Sequence, residues 1–232
     1  MRSGIARGVG GAAARETKTQ YRSAERLAGM SPRLVVKLGG SYADSPLLRR
    51  WLRAVTQARG SSLVLVPGGG PFADAVRQAQ PRMGFDDRAA HDMALLAMAQ
   101  FGRALTSLEP RLAPAESLGD VLHLCATGRV PVWSPWPMLR DAPDIPPSWD
   151  ITSDSLSLWL ARTLNAQHLL LVKHCTVPAN TPAATLGRDG ILDPAFPRFL
   201  DGYAGTVHIA GPDHLPTAGI DPGNPPGHRL PL

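Results

Sequence analysis

Cysteine and lysine are scarce in this 232-residue chain, and a membrane-length apolar run is absent. The two cysteines, Cys125 and Cys175, are far apart with no paired spacing, which excludes a disulfide framework and fits a reduced, cytoplasmic setting. No apolar run approaches the ~18 residues that a spanning helix needs, so no membrane role is expected. The first 30 residues have no continuous apolar core and do not read as a secretory signal. The phosphate-binding pattern Gly-x-x-x-x-Gly-Lys-Ser/Thr and the dinucleotide pattern Gly-x-Gly-x-x-Gly are both missing. His174-Cys175 has no flanking ligands at metal-site spacing, so no protein-held metal is expected.

A nucleic-acid partner is also disfavoured, despite a net charge of +5. Residues 1–30 carry six Lys/Arg against two acids, while the remainder holds 18 basic and 17 acidic residues. The excess charge therefore sits in the leader and the rest is nearly neutral. Three segments are expected: a basic, disordered leader (1–30), one domain (31–211), and a Pro/Gly-rich tail (212–232) that is irregular or disordered.

What the chain does have is a pair of glycine-rich turns, each at the end of an apolar strand. The first is Leu34-Val35-Val36-Lys37-Leu38-Gly39-Gly40-Ser41 and the second Leu63-Val64-Leu65-Val66-Pro67-Gly68-Gly69-Gly70. Each leads into a helical segment. Unpaired N–H groups at such a junction, aligned with the helix dipole, form an anion site. Two of them about 30 residues apart suit two phosphate-like groups held side by side.

Lys37 is one of only three lysines, with Lys18 and Lys173, and stands inside an apolar strand. An ammonium there needs an anionic partner, and the carboxyl ends of strands are where open α/β sheets bind ligands.

Helices are read from Ser45 to Gly60, from Pro71 to Gln80, from Asp86 to Leu108 and from Thr152 or Ser153 to Leu164. Further strands are read at Val121–Cys125, Val130–Trp133, His168–Val172 and Gly205–Ala210. A linker with five prolines runs from Ser134 to Pro147. Alternating strands and helices predict a three-layer α/β/α sandwich around a mostly parallel sheet.

Three strings, Val-Lys-Leu-Gly-Gly-Ser, Val-Pro-Gly-Gly-Gly-Pro-Phe-Ala-Asp and Trp149-Asp150-Ile151-Thr152-Ser153-Asp154-Ser155, resemble the amino-acid kinase superfamily. The resemblance covers about Arg33 to Gly211. With Ala89-Ala90-His91-Asp92-Met93, these strings are most similar to the branch that phosphorylates an aminomethylfuran-methyl phosphate in methanofuran biosynthesis. The resemblance implies a small-molecule kinase that uses Mg-ATP on a phosphomonoester acceptor, with magnesium carried by the nucleotide, and a homo-oligomer of two or more subunits. Uridylate or carboxylate kinases of the superfamily, and a non-catalytic nucleotide-binding member, are the alternatives.

Carried over by position, the resemblance makes Lys37 a bridge between the transferring phosphoryl and the phosphate behind it. Gly39, Gly40 and Ser41 line the ATP phosphates, and Thr152 and Ser153 meet phosphate at a helix start. Asp154 orients Lys37. Gly68, Gly69 and Gly70 serve the acceptor and migrating phosphoryl. No lysine follows Lys173, so Lys173 takes the part of the second lysine that relatives carry in their C-terminal half. Asp74 is read as the partner of an acceptor ammonium and His91 as a further acceptor contact, with Asp86, Asp87 and Asp92 beside them. Arg77, Arg82 or Arg88 can serve the acceptor phosphate.

Overall fold

The computed structural model describes residues 32–58 and 63–231. Its framework is one seven-stranded sheet in the order β3-β4-β2-β1-β5-β6-β7. The strands are β1 (Leu34–Leu38), β2 (Leu63–Pro67), β3 (Leu112–Ala115), β4 (Val130–Trp133), β5 (His168–Val172), β6 (Thr206–Ala210) and β7 (His228–Arg229). Every pairing is parallel except β6 with β7. β1 lies at the centre, with Lys37 in register with Val66 of β2 and Leu171 of β5.

β1, β2 and β5 are runs of Leu and Val because helices cover both faces of the sheet there, so neither parity of side chain meets water. Leu34, Val36 and Leu38 join Trp51, Leu52 and Val55 of helix α1 (Leu48–Thr56) in one apolar cluster. Val35 points the other way, into a cluster with Leu156, Leu158 and Leu160 of helix α6 (Ser153–Thr163). Lys37 has the parity of Val35 and so projects toward the α6 face. The architecture is the expected three-layer α/β/α sandwich.

Helix α2 (Gly70–Met83) and helix α3 (Asp87–Leu108) follow β2. Gly84 ends α2 in the left-handed region (φ 75°), and the Asp86 side chain accepts from the Ala89 N–H to open α3. Ser45 accepts from the Leu47 N–H, 3.2 Å, just ahead of α1. α1 ends at Thr56, and Gly60 lies outside the described residues, as does the 1–30 leader.

The expected strand Val121–Cys125 is instead part of helix α4 (Leu118–Ala126). Its signal is the preceding Ser117, whose hydroxyl accepts from the Asp120 N–H while the Asp120 carboxylate accepts from the Ser117 N–H, a capping box. The proline-rich linker contains one helical turn, α5 (Trp136–Leu139). Between β5 and β6 run two short helices, α7 (Ala183–Arg188) and α8 (Phe196–Phe199).

The stretch after Gly211 is irregular over most of its length but is packed onto the domain. Ile220 and Leu230 are 1% and 2% exposed. The Ile220 N–H donates to the Ala54 carbonyl at the end of α1, and β7 adds antiparallel to β6. Two apolar anchors set among prolines are enough to dock a segment that has little helix or strand propensity of its own.

Candidate active site

The two glycine turns touch. The Gly68 N–H donates to the Leu38 carbonyl at 2.9 Å, and the Gly39 N–H donates to Val172 at 3.1 Å, so each turn is fixed to a neighbouring strand end. A Cβ on Gly40 would collide with the amide nitrogen and Cα of Gly70, and one on Gly68 would collide with Gly40. Gly70 itself has φ 54°, in the left-handed region that favours glycine. Glycine is thus required at this junction by the close approach of one turn to the other, and the Gly39 and Gly68 N–H groups, expected to face phosphate, are spent on strand-end carbonyls.

Beneath the turns lies a buried charge cluster. Asp154, in the first turn of α6, accepts a salt bridge from Lys37 Nζ at its Oδ1 (2.9 Å) and from Lys173 Nζ at its Oδ2 (2.7 Å). Lys37 and Asp154 are 5% and 3% exposed. Burial works to raise the pKa of Asp154, but the ammonium groups of Lys173 and Lys37 together hold it well below the ordinary carboxylate range. For Lys37, burial lowers the pKa and Asp154 opposes the shift. The carboxylate between buried Lys37 and partly buried Lys173 offsets the desolvation of the lysine ammonium groups and holds both side chains in place beside the glycine turns.

Lys173 leaves the end of β5 in a fixed position. Its N–H donates to Ala210, and its carbonyl accepts from the Tyr42 hydroxyl at 2.9 Å. The neighbouring His174 ring lies 4.6 Å from that of Tyr42.

Sequence reasoning missed Asp193. This carboxylate is 6% exposed and sits between α7 and α8. One of its oxygens accepts from Thr152 N–H (2.9 Å), the Thr152 hydroxyl (3.0 Å) and Ser155 N–H (3.0 Å), and the other accepts from the Ser155 hydroxyl. It therefore caps α6 from a distant part of the chain. Thr152 is occupied by Asp193 through both its N–H and its hydroxyl, although it still borders the cleft next to Ser153. Burial and the nearby charge of Asp154 raise the Asp193 pKa. The available signal was an acid in an otherwise apolar string, Ile191-Leu192-Asp193-Pro194-Ala195-Phe196.

A cavity of about 270 Å³ opens beside the turns. Gly40, Ser41 and Gly68 to Gly70 form its floor, α2 and α3 one wall, and Ser148, Trp149 and Ile151 to Ser153 the other. Asp74 borders it but is largely exposed and, among the described residues, pairs only with Arg77, at 3.6 Å. The Arg77 guanidinium lies 4.5 Å from the centre of the Trp149 ring, a cation–π contact. Trp149 Nε1 donates to Gln80 Oε1 (2.7 Å), and Gln80 Nε2 donates to Asp87 Oδ1 (2.8 Å), so both walls share one hydrogen-bonded chain. His91 is buried in the wall, its Nε2 has no partner among the described residues, and burial lowers its pKa, which favours the neutral ring. Of the other candidates, only Asp87 and Arg77 border this cavity: Asp86 caps α3, Asp92 pairs with Arg88, and the Arg82 Nε donates to the Gln78 carbonyl.

One buried and one partly buried lysine under two touching glycine turns, at the carboxyl ends of central parallel strands, describe a phosphate-handling α/β protein. Residues 32–175 match the model of the amino acid kinase family, and the chain belongs to that family. A curated relative is the (5-(aminomethyl)furan-3-yl)methyl phosphate kinase of Methanocaldococcus jannaschii, 27% identical over 139 residues. That match takes in 59% of this chain and 63% of the relative, so the chain spans under two thirds of the relative's length. Among solved structures, uridylate kinase from Archaeoglobus fulgidus superposes with a TM-score of 0.59 at 15% identity, over 86% of this chain and all of that one. Aspartate kinase from Synechocystis gives 0.57 at 13% identity, over 85% of this chain and 39% of that one. At these identities the two structures share the fold. Among the described residues no helix is long and apolar enough to cross a membrane.

Proposed function

We propose that this protein is a small-molecule kinase that transfers the γ-phosphoryl group of ATP to an oxygen of a phosphomonoester, giving a diphosphate and ADP. The acceptor oxygen attacks Pγ, the bond from Pγ to the β,γ-bridging oxygen breaks, and ADP departs. The observation that carries this reading is the buried Lys37–Asp154–Lys173 cluster beneath two glycine turns in contact. Phosphoryl transfer asks for alignment and charge neutralisation rather than covalent participation by the protein. Donors fixed where the phosphoryl oxygens gain charge lower the barrier.

In this reading Lys37 bridges the transferring phosphoryl group and the phosphate behind it, and Lys173 approaches from the β5 end. Asp154 orients both lysines. Gly39, Gly40, Ser41, Thr152 and Ser153 surround the ATP phosphates. Gly68, Gly69 and Gly70 serve the acceptor side, with Asp74 and His91 as acceptor contacts. Asp154 gives both oxygens to lysine, so magnesium arrives bound to the nucleotide phosphates. Arg77 supplies the cation for the acceptor phosphate, and the Trp149 ring offers a flat apolar wall. An aminomethylfuran-methyl phosphate has an ammonium, a flat ring and a phosphate to match Asp74, Trp149 and Arg77, and the furan-phosphate kinase relative supports that acceptor. Phe72, Met93 and Leu96, exposed on α2 and α3, support assembly of two or more copies. A cytoplasmic location belongs to the same reading, supported by two cysteines that do not pair with each other.

The test is ADP release and product formation with Mg-ATP and, separately, the aminomethylfuran-methyl phosphate and UMP, which would give diphosphates, and aspartate, which would give an acyl phosphate. The furan phosphate is expected to be used with the highest kcat/KM. Preference for UMP or aspartate would replace the acceptor assignment. Tight ATP binding with no transfer to any acceptor would overturn the kinase reading in favour of a nucleotide-binding protein.

A further inference from the structure

We propose that Asp193 is a positioning residue for the reaction centre, fixing Asp154 between the two lysines from a segment beyond the family match. This rests on the kinase reading above. Asp154 is fixed in two ways by Asp193. The Asp193 N–H donates directly to Asp154 Oδ2 at 3.2 Å. Its carboxylate holds Thr152 and Ser155, the residues two before and one after Asp154, through two N–H groups and two hydroxyls.

The arrangement is more than a helix cap. A local cap would come from the residue that starts the helix, yet the Thr152 side chain makes no cap bond of its own and donates to Asp193 instead. A residue 39 positions away thus sets the rotation and depth of the first turn of α6. Asp154 Oδ2 receives both Lys173 Nζ and the Asp193 N–H, so a shift of the Asp193 backbone displaces the oxygen that holds Lys173. The charged groups facing Asp193 are Asp154, from α6, and Lys37, from β1. Its anchor is apolar: Leu192, Ala195 and Phe196 are all buried in the core cluster that packs on α6. The segment 191–199 is thereby assigned to the active centre as its rigid back wall.

The experiment compares Asp193→Asn with Asp193→Ala. Asparagine can accept from Thr152 and Ser155 with its oxygen and donate to the Ser155 hydroxyl with its amide, so it preserves the shape. The expected result is kcat within about threefold of wild type for Asp193→Asn, and at least tenfold lower for Asp193→Ala. The KM for the acceptor should stay within about twofold in both. A second readout needs no turnover. The chain has three lysines, so side-chain NMR of isotope-labelled lysine gives assignable signals. The side-chain signals of Lys37 and Lys173 should both shift in Asp193→Ala, because both ammonium groups are held by the carboxylate that Asp193 fixes.

A purely structural Asp193 would lower the melting temperature of both variants while leaving kcat per folded molecule and both lysine side-chain signals unchanged, and that result overturns the proposal. If wild type transfers no phosphoryl group, the kinase reading fails, and the lysine signals alone decide on Asp193. Should Asp193→Ala not fold, Ser155→Ala removes one of its contacts and is expected to shift the lysine signals and kcat in the same direction by a smaller amount. No change in Ser155→Ala then overturns the proposal.

Discussion

The two flanks of the glycine junction are built on opposite principles. On the α6 side the charges are buried and multiply held: Lys37, Lys173 and Asp154 have at most 14% of each side chain exposed. On the α2–α3 side the charges are open, with the Asp74 and Arg77 side chains 63% and 54% exposed and 3.6 Å apart. A buried cluster cannot relax into water when a partner is lost, and breaking such a pair costs about 3–5 kcal/mol. An exposed pair contributes at most about 1 kcal/mol and can rearrange. The buried flank therefore suits the invariant part of a reaction, and the open flank the part that varies with the acceptor.

The strongest way to break this contrast is Lys37→Met. Methionine keeps much of the apolar stem and deletes the charge. Transfer is expected to fall by about 10²–10³-fold, with the protein still folded by circular dichroism because Lys173 continues to pair with Asp154. Near-normal kcat would move the catalytic burden off the buried flank. Next comes Gly40→Ala, which forces the two turns apart. A displacement of about 1 Å can cost on the order of 10²-fold, and here both substrates should suffer, since the junction is shared. Loss confined to one substrate in steady-state kinetics would show that the turns work independently.

The buried flank was largely readable from the chain because its signals are local. Lys37 is the one charged residue in a five-residue apolar strand, the glycines follow at once, and Thr152-Ser153-Asp154 marks a helix start. The junction itself was half readable. The glycines stood out, but nothing in linear order says that Gly40 and Gly70 touch. Asp193 left only a faint signal, one acid in an apolar string, because its partners are about 40 residues away and its own neighbourhood has no regular period. Leu112–Ala115 was missed since a four-residue edge strand containing Pro114 gives almost no β signal, and β7 is only two residues long. The Val121–Cys125 error arose where a short apolar run fits either a strand or a buried helix face, and the capping box upstream was the deciding feature.

The open flank is probed by Arg77→Ala. The acceptor KM should rise about tenfold, equivalent to about 1.4 kcal/mol of lost binding, with the nucleotide KM unchanged. Trp149→Leu should act in the same direction and more weakly, since it removes the ring under the guanidinium and the bond to Gln80. A change in nucleotide KM as large as that in acceptor KM would mean that the two flanks are not separate.

The smallest effect is also the one that contrasts the flanks in stability rather than rate. The native pKa of Asp154 is depressed, so its ionised form adds stability that is fully present above the ordinary carboxylate value of 3.8 and is lost as pH falls below it toward the native pKa. Asp193 works in the opposite sense: its native pKa is raised, so its ionisation removes stability as pH climbs from 3.8 through the native value. Together they predict no loss of stability as pH is lowered toward 3.8 from these two groups, then a decline of at most about 1.4 kcal/mol per pH unit from Asp154. Lys173→Met removes one of the two ammonium groups that depress the Asp154 pKa and should flatten that decline. Asp74→Asn, on the open flank, should leave it as in wild type, because Asp74 has only an exposed partner. Urea unfolding between pH 5 and pH 3 on the three proteins measures the slopes, and a flattened slope in Asp74→Asn would place the acid-sensitive charge on the wrong side of the junction.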